Sequence, residues 1–421
     1  MNPAEYDLSL YRPSDALYLW WLAQPERPVL IGTLMTVRAS QGVSLRYAPT
    51  WLKSGFALSE DLPLRDIEWM PHDKETAAGA VDDARPDRWG ERVIRWLDKP
   101  PRLSLLDYLF YAGDERFGAL GVSVSAQTYQ PRRLGPLPHL GDVSTMAGLI
   151  QNIMNGEPVA PPHRRLMAPG VTLGGARPKA LIELEGAPWI VKFAEPGDAV
   201  DTPLIEHATM TLAATAGIRV ASTRPIALPR GHALAVQRFD REGAFRRHAL
   251  SAQVALKAAG AGMGYPELAQ LLRRRGVVQG GVSLAQQREL FRRMVFNILI
   301  DNTDDHEKNH ALLMTDACSY ELAPAFDVLP CGQGLGYQQM RVGADMADST
   351  LANALSEAAQ FGLAPREARQ AVQEVATVVA RWSDHFAAQG VSQTDIAQLA
   401  QQIERPFLRE QREAARAWQL K

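Results

Sequence analysis

Apolar and polar positions change their period along this chain, from short alternating runs in the first half to helical stripes after residue 250. Residues 15–37 alternate short apolar runs with Gln24-Pro25-Glu26-Arg27-Pro28 and Gly32, which predicts a strand, a turn and a second strand of a small sheet. Residues 86–97 carry Trp89, Val93 and Trp96 at near-turn intervals, and residues 103–112 carry Leu105, Leu106, Leu109 and Phe110 ahead of Gly113, so two helices are expected. Residues 116–123 read as a glycine-punctuated strand. Proline is dense on both sides of a helical stretch at 143–155, so residues 130–170 read as a connection.

Beyond it, a glycine-rich entrance at 170–179 leads into apolar runs at 180–184 and 189–193 with Glu185-Gly186 between them, the pattern of a hairpin. Thr202-Pro203 predicts a capped helix start, with Glu206 in its first turns and Gly217 at its end. Residues 220–228 and 233–239 predict two more strands. From residue 250 onward the chain is expected to be mainly helical. Leu290, Phe291, Met294, Val295, Ile298 and Leu299 mark one buried helix, Val372, Val375, Val379, Trp382 and Phe386 form a second stripe, and Ser392-Gln-Thr-Asp395 starts another helix. Strands first and helices after is α+β architecture. The expected segments are a first subdomain over 1–130, a proline-rich connection over 131–169, a strand-rich lobe over 170–245 and a helical lobe over 246–421.

Composition narrows the function classes. The 421 residues are 46% apolar and 22% charged, ordinary for a globular protein, and the net charge of −2 gives no overall pull toward nucleic acid or an anionic membrane. Two cysteines exclude a disulfide framework and fit a reducing cytoplasm. The longest early apolar run, 16–23, is too short to span a membrane and lacks the flanks of a signal peptide.

The chemistry concentrates at 301–310, Asp-Asn-Thr-Asp-Asp-His-Glu-Lys-Asn-His, delivered by the buried helix before it and followed by Pro324-Ala-Phe-Asp327. Two readings compete. His306-Glu307-Lys308-Asn309-His310 fits the zinc pattern H-E-x-x-H, which needs both imidazoles on one helical face. Alternatively, Asp304 stands five residues before Asn309, the spacing at which a kinase loop places a carboxylate at the acceptor hydroxyl and an amide oxygen on Mg2+, with Asp327 as a second hard ligand. No Walker A sequence is present. Glycines beside a strand still let backbone N–H groups approach a polyphosphate, with Lys192 on the next strand as a point charge and Glu206 placed to pair with it.

With these residues in place, the chain resembles the HipA family of serine/threonine kinases, toxins of bacterial toxin–antitoxin pairs. The likeness rests on Asn302-Thr-Asp-Asp-His-Glu-Lys-Asn309, Gly174-Gly-Ala-Arg-Pro-Lys179, Val236-Gln-Arg-Phe-Asp-Arg241 and Ala325-Phe-Asp-Val328 in family order. Arg85-Pro-Asp87 and Gly118-Ala-Leu-Gly121 are matching points in the N-terminal subdomain. The resemblance implies a two-lobed protein-kinase-like fold and an ATP- and Mg2+-dependent reaction. Asp304 would be the base with Lys308 beside it, and Asn309 and Asp327 the metal ligands. Lys192, Glu206, Gly174, Gly175, Lys179 and His306 would serve the nucleotide, and the backbone from Gln237 to Phe239 would meet adenine. Thr172 takes the place of the family's autophosphorylated serine. The implied substrate is a translation protein such as an aminoacyl-tRNA synthetase, and the implied partner a small DNA-binding antitoxin through which DNA is reached indirectly. A kinase fold serving as a non-catalytic co-repressor is the other class of function this family likeness leaves open.

Overall fold

In the computed structural model, which describes residues 12–133, 135–167, 175, 177–315, 318–331 and 334–419, the early alternation becomes an antiparallel sheet. Its strands are β1 (Ala16–Trp21), β2 (Val29–Val37), β3 (Gly42–Tyr47), β4 (Glu68–Trp69) and β5 (Leu120–Ser123), in the order β4-β3-β2-β1-β5. The turn between β1 and β2 falls on the Pro25–Pro28 punctuation, and a register shift at Leu19/Trp20 bends β1. Leu17, Leu19, Ile31, Leu34, Val43 and Leu45 form the buried face.

Contacts divide the chain into two compact units that cut across the expected segments, residues 1–196 with 237–250 and residues 197–236 with 251–421. In the first unit the β1–β5 sheet is joined by the helices Arg88–Val93 and Leu105–Tyr111. Asp87 caps the former by accepting from Gly90 N at 2.8 Å. Ser104 and Asp107 form a capping box at the latter, so both helices begin where a short polar side chain satisfies the free N–H groups. The connection holds the expected helix, Val143–Asn155, closed by Gly156 in the left-handed region. The hairpin β6 (Lys179–Leu184) and β7 (Ala187–Phe193) turns at Glu185 and Gly186, both at positive φ.

In the second unit, helix Thr202–Thr215 carries Pro203 in its first turn, but its N-cap position is Asp201, which makes no side-chain cap bond; the expected threonine cap is not formed. Strands Thr223–Ala227 and His232–Gln237 pair antiparallel. Helices then dominate, and Val282–Leu299 runs through the interior with Leu290, Phe291, Met294, Val295, Phe296 and Ile298 fully buried. Two expectations are corrected here. The helical region contains a hairpin, Ala311–Met314 with Tyr320–Leu322, whose four-residue apolar run is too short for periodicity to separate strand from helix. The long apolar stripe is two helices, Pro365–Val379 and Trp382–Ala388, broken at Ala380-Arg381. No helix among the described residues is long and apolar enough to cross a membrane.

Candidate functional site

The polar segment 301–310 starts where helix Val282–Leu299 ends. Asn302 donates its backbone N–H to Asn297 O at 2.9 Å and its amide to Asn297 Oδ1 at 3.1 Å, turning the chain off the helix. Asp301, at φ 61°, occupies the left-handed region, which costs a non-glycine residue on the order of 1 kcal/mol or more and persists only where the surroundings hold it. They do so here. Its carbonyl accepts from Cys331 N at 3.1 Å and its carboxylate from Arg405 at 2.8 Å, while Thr303 Oγ1 lies 2.6 Å from Cys331 Sγ. Burial pushes the Asp301 carboxyl upward despite Arg405.

The two adjacent aspartates face opposite surroundings. Asp304 is exposed, whereas Asp305 is only 2% exposed. Asp305 Oδ2 accepts from Tyr265 OH and from His310 Nε2, the latter at 2.7 Å, and Asn297 Nδ2 donates to Tyr265 OH at 3.3 Å. Burial works against the ionised form of Asp305, yet the charge and hydrogen bonds of His310 and Tyr265 prevail and hold its carboxyl below the usual range. The same environment, burial first and the Asp305 charge second, pushes the Tyr265 phenol well up.

A one-turn 3-10 helix, Glu307–Asn309, follows, with Lys308 exposed and Asn309 buried. His306 and His310 both have extended backbones, so they do not share a helical face, and His310 Nε2 is committed to Asp305. The geometry that the zinc reading requires is therefore absent, and no three His, Cys, Asp or Glu residues among those described could hold a metal ion.

Asn309 Oδ1 is buried, with no hydrogen-bond partner among the described residues. Asn309 lines a cavity of about 10 Å³ that Phe326 and Val328 also line, so the Ala-Phe-Asp segment is brought to the loop. Between those two residues Asp327 sits half-buried at φ 59°, a second left-handed non-glycine position. The segment is held from behind. Ala325 donates its N–H to Arg219 O and its carbonyl accepts from Ala221 N, and buried Arg293 donates to Ala323 O at 2.7 Å while paired with Glu289. An amide oxygen and a carboxylate are both hard oxygen donors, the ligand type that a divalent cation such as Mg2+ takes.

The remaining expected residues are placed as follows. Lys192, buried on β7, stands opposite Lys179 in the hairpin register, and Glu206 is buried in helix Thr202–Thr215; they belong to different units. Lys179, 2% exposed, donates to Asp87 Oδ2 at 2.5 Å and to Gly175 O at 3.3 Å, and its carbonyl accepts from Trp89 Nε1. The Arg85-Pro-Asp87 and Pro178-Lys179 motifs thus meet as a buried ion pair, a contact 92 residues apart that sequence reading missed. Gln237 is exposed and Phe239 packs edge-on against Phe117 at 6.0 Å. Arg238 and Arg241 close on buried Asp240, which also accepts from Gly118 N, so much of the Gln-Arg-Phe-Asp-Arg motif is an internal clasp on residues 115–118. Thr172 and Gly174 lie outside the described residues.

Two family models match the chain. The HipA-like C-terminal domain covers residues 171–382 and the HipA N-terminal domain residues 27–123. A solved chain from the Shewanella oneidensis MR-1 toxin–antitoxin complex of HipA, HipB and operator DNA is similar over 94% of this chain and 99% of its own, at 20% identity and a TM-score of 0.64. The Helicobacter pylori proinflammatory kinase CtkA matches 56% of this chain and 92% of its own, at 11% identity and a TM-score of 0.43. A comparison with curated proteins finds no match. The likeness to the Shewanella chain bears out the α+β fold expected from the sequence.

Proposed function

The chain belongs to the HipA family, and on that premise we propose that it is an ATP- and Mg2+-dependent protein kinase acting on serine or threonine. One observation carries the reading: of two adjacent aspartates, Asp304 is presented to solvent on a loop whose flanking residues are buried and hydrogen-bonded. That is the placement a general base needs to reach a hydroxyl on another protein. Asp304 would take the acceptor hydroxyl's proton as that hydroxyl's oxygen bonds to the γ-phosphorus of ATP and the bond from this phosphorus to the β,γ-bridging oxygen breaks, releasing ADP. Asn309 and Asp327 would hold Mg2+, which when bound neutralises charge on the phosphate oxygens. Exposed Lys308 would add positive charge beside the base.

The biological role follows the family. We assign the protein as a growth-arresting toxin whose substrate is a protein of translation, an aminoacyl-tRNA synthetase being one such class. The Shewanella structure contains HipB and operator DNA; we take a small HipB-like DNA-binding antitoxin as this chain's partner, with DNA reached only through it. The test is purified protein incubated with labelled ATP, Mg2+ and a lysate, with the labelled band identified. Label that appears with the wild type and vanishes with Asp304→Asn supports the reading. Label that persists in the variant, or none in either, overturns it.

A further inference from the structure

We propose that Asp305 is a positioning residue which, with Tyr265 and His310, clamps the loop between helix Val282–Leu299 and strand Ala311–Met314 so that Asp304 and Asn309 are held in register. The proposal rests on the phosphoryl-transfer reading and gives a role to residues which that reading does not use. A buried carboxylate is costly unless donors satisfy it, so a carboxylate kept at this position calls for an explanation beyond packing. Its donors supply one. His310 Nε2 reaches Asp305 Oδ2 at 2.7 Å, which closes the arc from 305 to 310 by a side-chain bond. The arc's two ends are each the next residue after a proposed site residue, Asp304 at one end and Asn309 at the other.

Tyr265 and Asn297 then fix the closed arc in space. Tyr265 comes from helix Tyr265–Arg275 and donates to the same Oδ2. Asn297, on helix Val282–Leu299, donates to Tyr265 OH and accepts from Asn302, where the loop begins. The loop's start, its turn and its end are therefore all referenced to two helices through one hydrogen-bonded set. Its strand end is fixed as well, since His310 O accepts from Ala252 N at 2.8 Å. All five side chains are buried.

The two donors do separable work, and that makes the clamp testable. Tyr265→Phe leaves the arc closed by His310 but removes its tie to the helices; Asp305→Ala removes both. Steady-state kcat and KM for ATP are measured for wild type, Tyr265→Phe and Asp305→Ala, together with hydrogen exchange of the 302–310 amides and the thermal midpoint. The expected result is a loss of kcat of about tenfold in Tyr265→Phe and about a hundredfold in Asp305→Ala, in line with the cost of roughly 1 Å of misplacement. KM for the Mg2+–ATP complex should rise as well, because Asn309, a proposed Mg2+ ligand, loses its register together with Asp304, and exchange should accelerate in the loop alone. Wild-type kcat and loop exchange in folded Asp305→Ala would overturn the clamp, as would losses that follow global unfolding with exchange raised everywhere. If the wild-type protein transfers no phosphate at all, the kinase reading falls, and the exchange measurement then decides the clamp: acceleration confined to 302–310 upholds it, and anything else removes it.

Discussion

Asp304 and Asp305 are chemically identical and adjacent, yet one is exposed and the other hydrogen-bonded in the interior. Asp304→Asn is therefore expected to reduce phosphoryl transfer by about 10²–10⁴-fold while leaving the fold and ATP affinity unchanged. Asp327→Asn should instead weaken binding of Mg2+ with ATP, read as a raised KM for the metal–nucleotide complex. Retained turnover in Asp304→Asn would overturn the reading that rests on Asp304 as the base. A third single-residue prediction concerns Lys179. With 2% exposure and a 2.5 Å contact to Asp87, its pair is a desolvated one, and removing one partner of such a pair typically costs about 3–5 kcal/mol because the other charge stays buried. Lys179→Met should lower the unfolding free energy by that order in urea titrations. Adding Asp87→Asn should restore part of it, since the stranded carboxylate is gone. A loss confined to ATP affinity, with stability unchanged, would place Lys179 on the nucleotide instead.

Elements were legible where period and punctuation agreed. The β1–β2 hairpin follows Gln24 to Pro28, helix Leu105–Tyr111 stops before Gly113, and helix Val143–Asn155 stands within the proline-rich connection as read. Where a segment is short, or its partner distant, the sequence says less. Ala311–Met314 is four apolar residues whose strand state depends on pairing with Tyr320–Leu322. In the same way the Asp305 contacts depend on Tyr265, forty residues upstream. The polar loop itself was legible because charge delivered by a buried helix is rare. Which aspartate faces out was not, since that depends on a donor from another helix. One further link between elements could not be read. Arg405, at the N-cap of helix Pro406–Arg416, donates to Asp301 Oδ1 at the loop's start, and Asp301 is 1% exposed. Arg405→Leu should thus destabilise the protein by about 3 kcal/mol, and Asp301→Asn in that background should recover part of the loss. Additive rather than compensating effects in the double variant would break this link.

At the scale of the whole molecule, pH separates contributions that share one sign but occupy different windows. In the first unit Asp240, enclosed by Arg238 and Arg241, is held at about 2 against its ordinary 3.8. Burial alone would raise it, and the two guanidinium groups overcome that. A depressed carboxylate contributes stability that is present above its unfolded value and lost as pH falls from about 3.8 toward 2. His248, in the same unit, is buried against the Trp21 ring and bonded through Nε2 to Leu58 O at 3.1 Å; burial pushes it down from 6.5 to about 4. The folded state therefore holds His248 neutral, and the unfolded chain takes up the proton first. Stability is complete above pH 6.5, falls as pH drops from 6.5 to 4, and loses nothing more from this group below that. The span corresponds to about 3 kcal/mol. His207 and His385, in the other unit, are also pushed down by burial and add to the same slope. His248→Gln keeps a donor for Leu58 O and cannot titrate, so its thermal midpoint should fall less steeply than that of the wild type between pH 6.5 and 4, with the two slopes converging below pH 4 where Asp240 takes over. Parallel slopes for variant and wild type across the upper window would mean that His248 is protonated, or reaches water, in the folded protein.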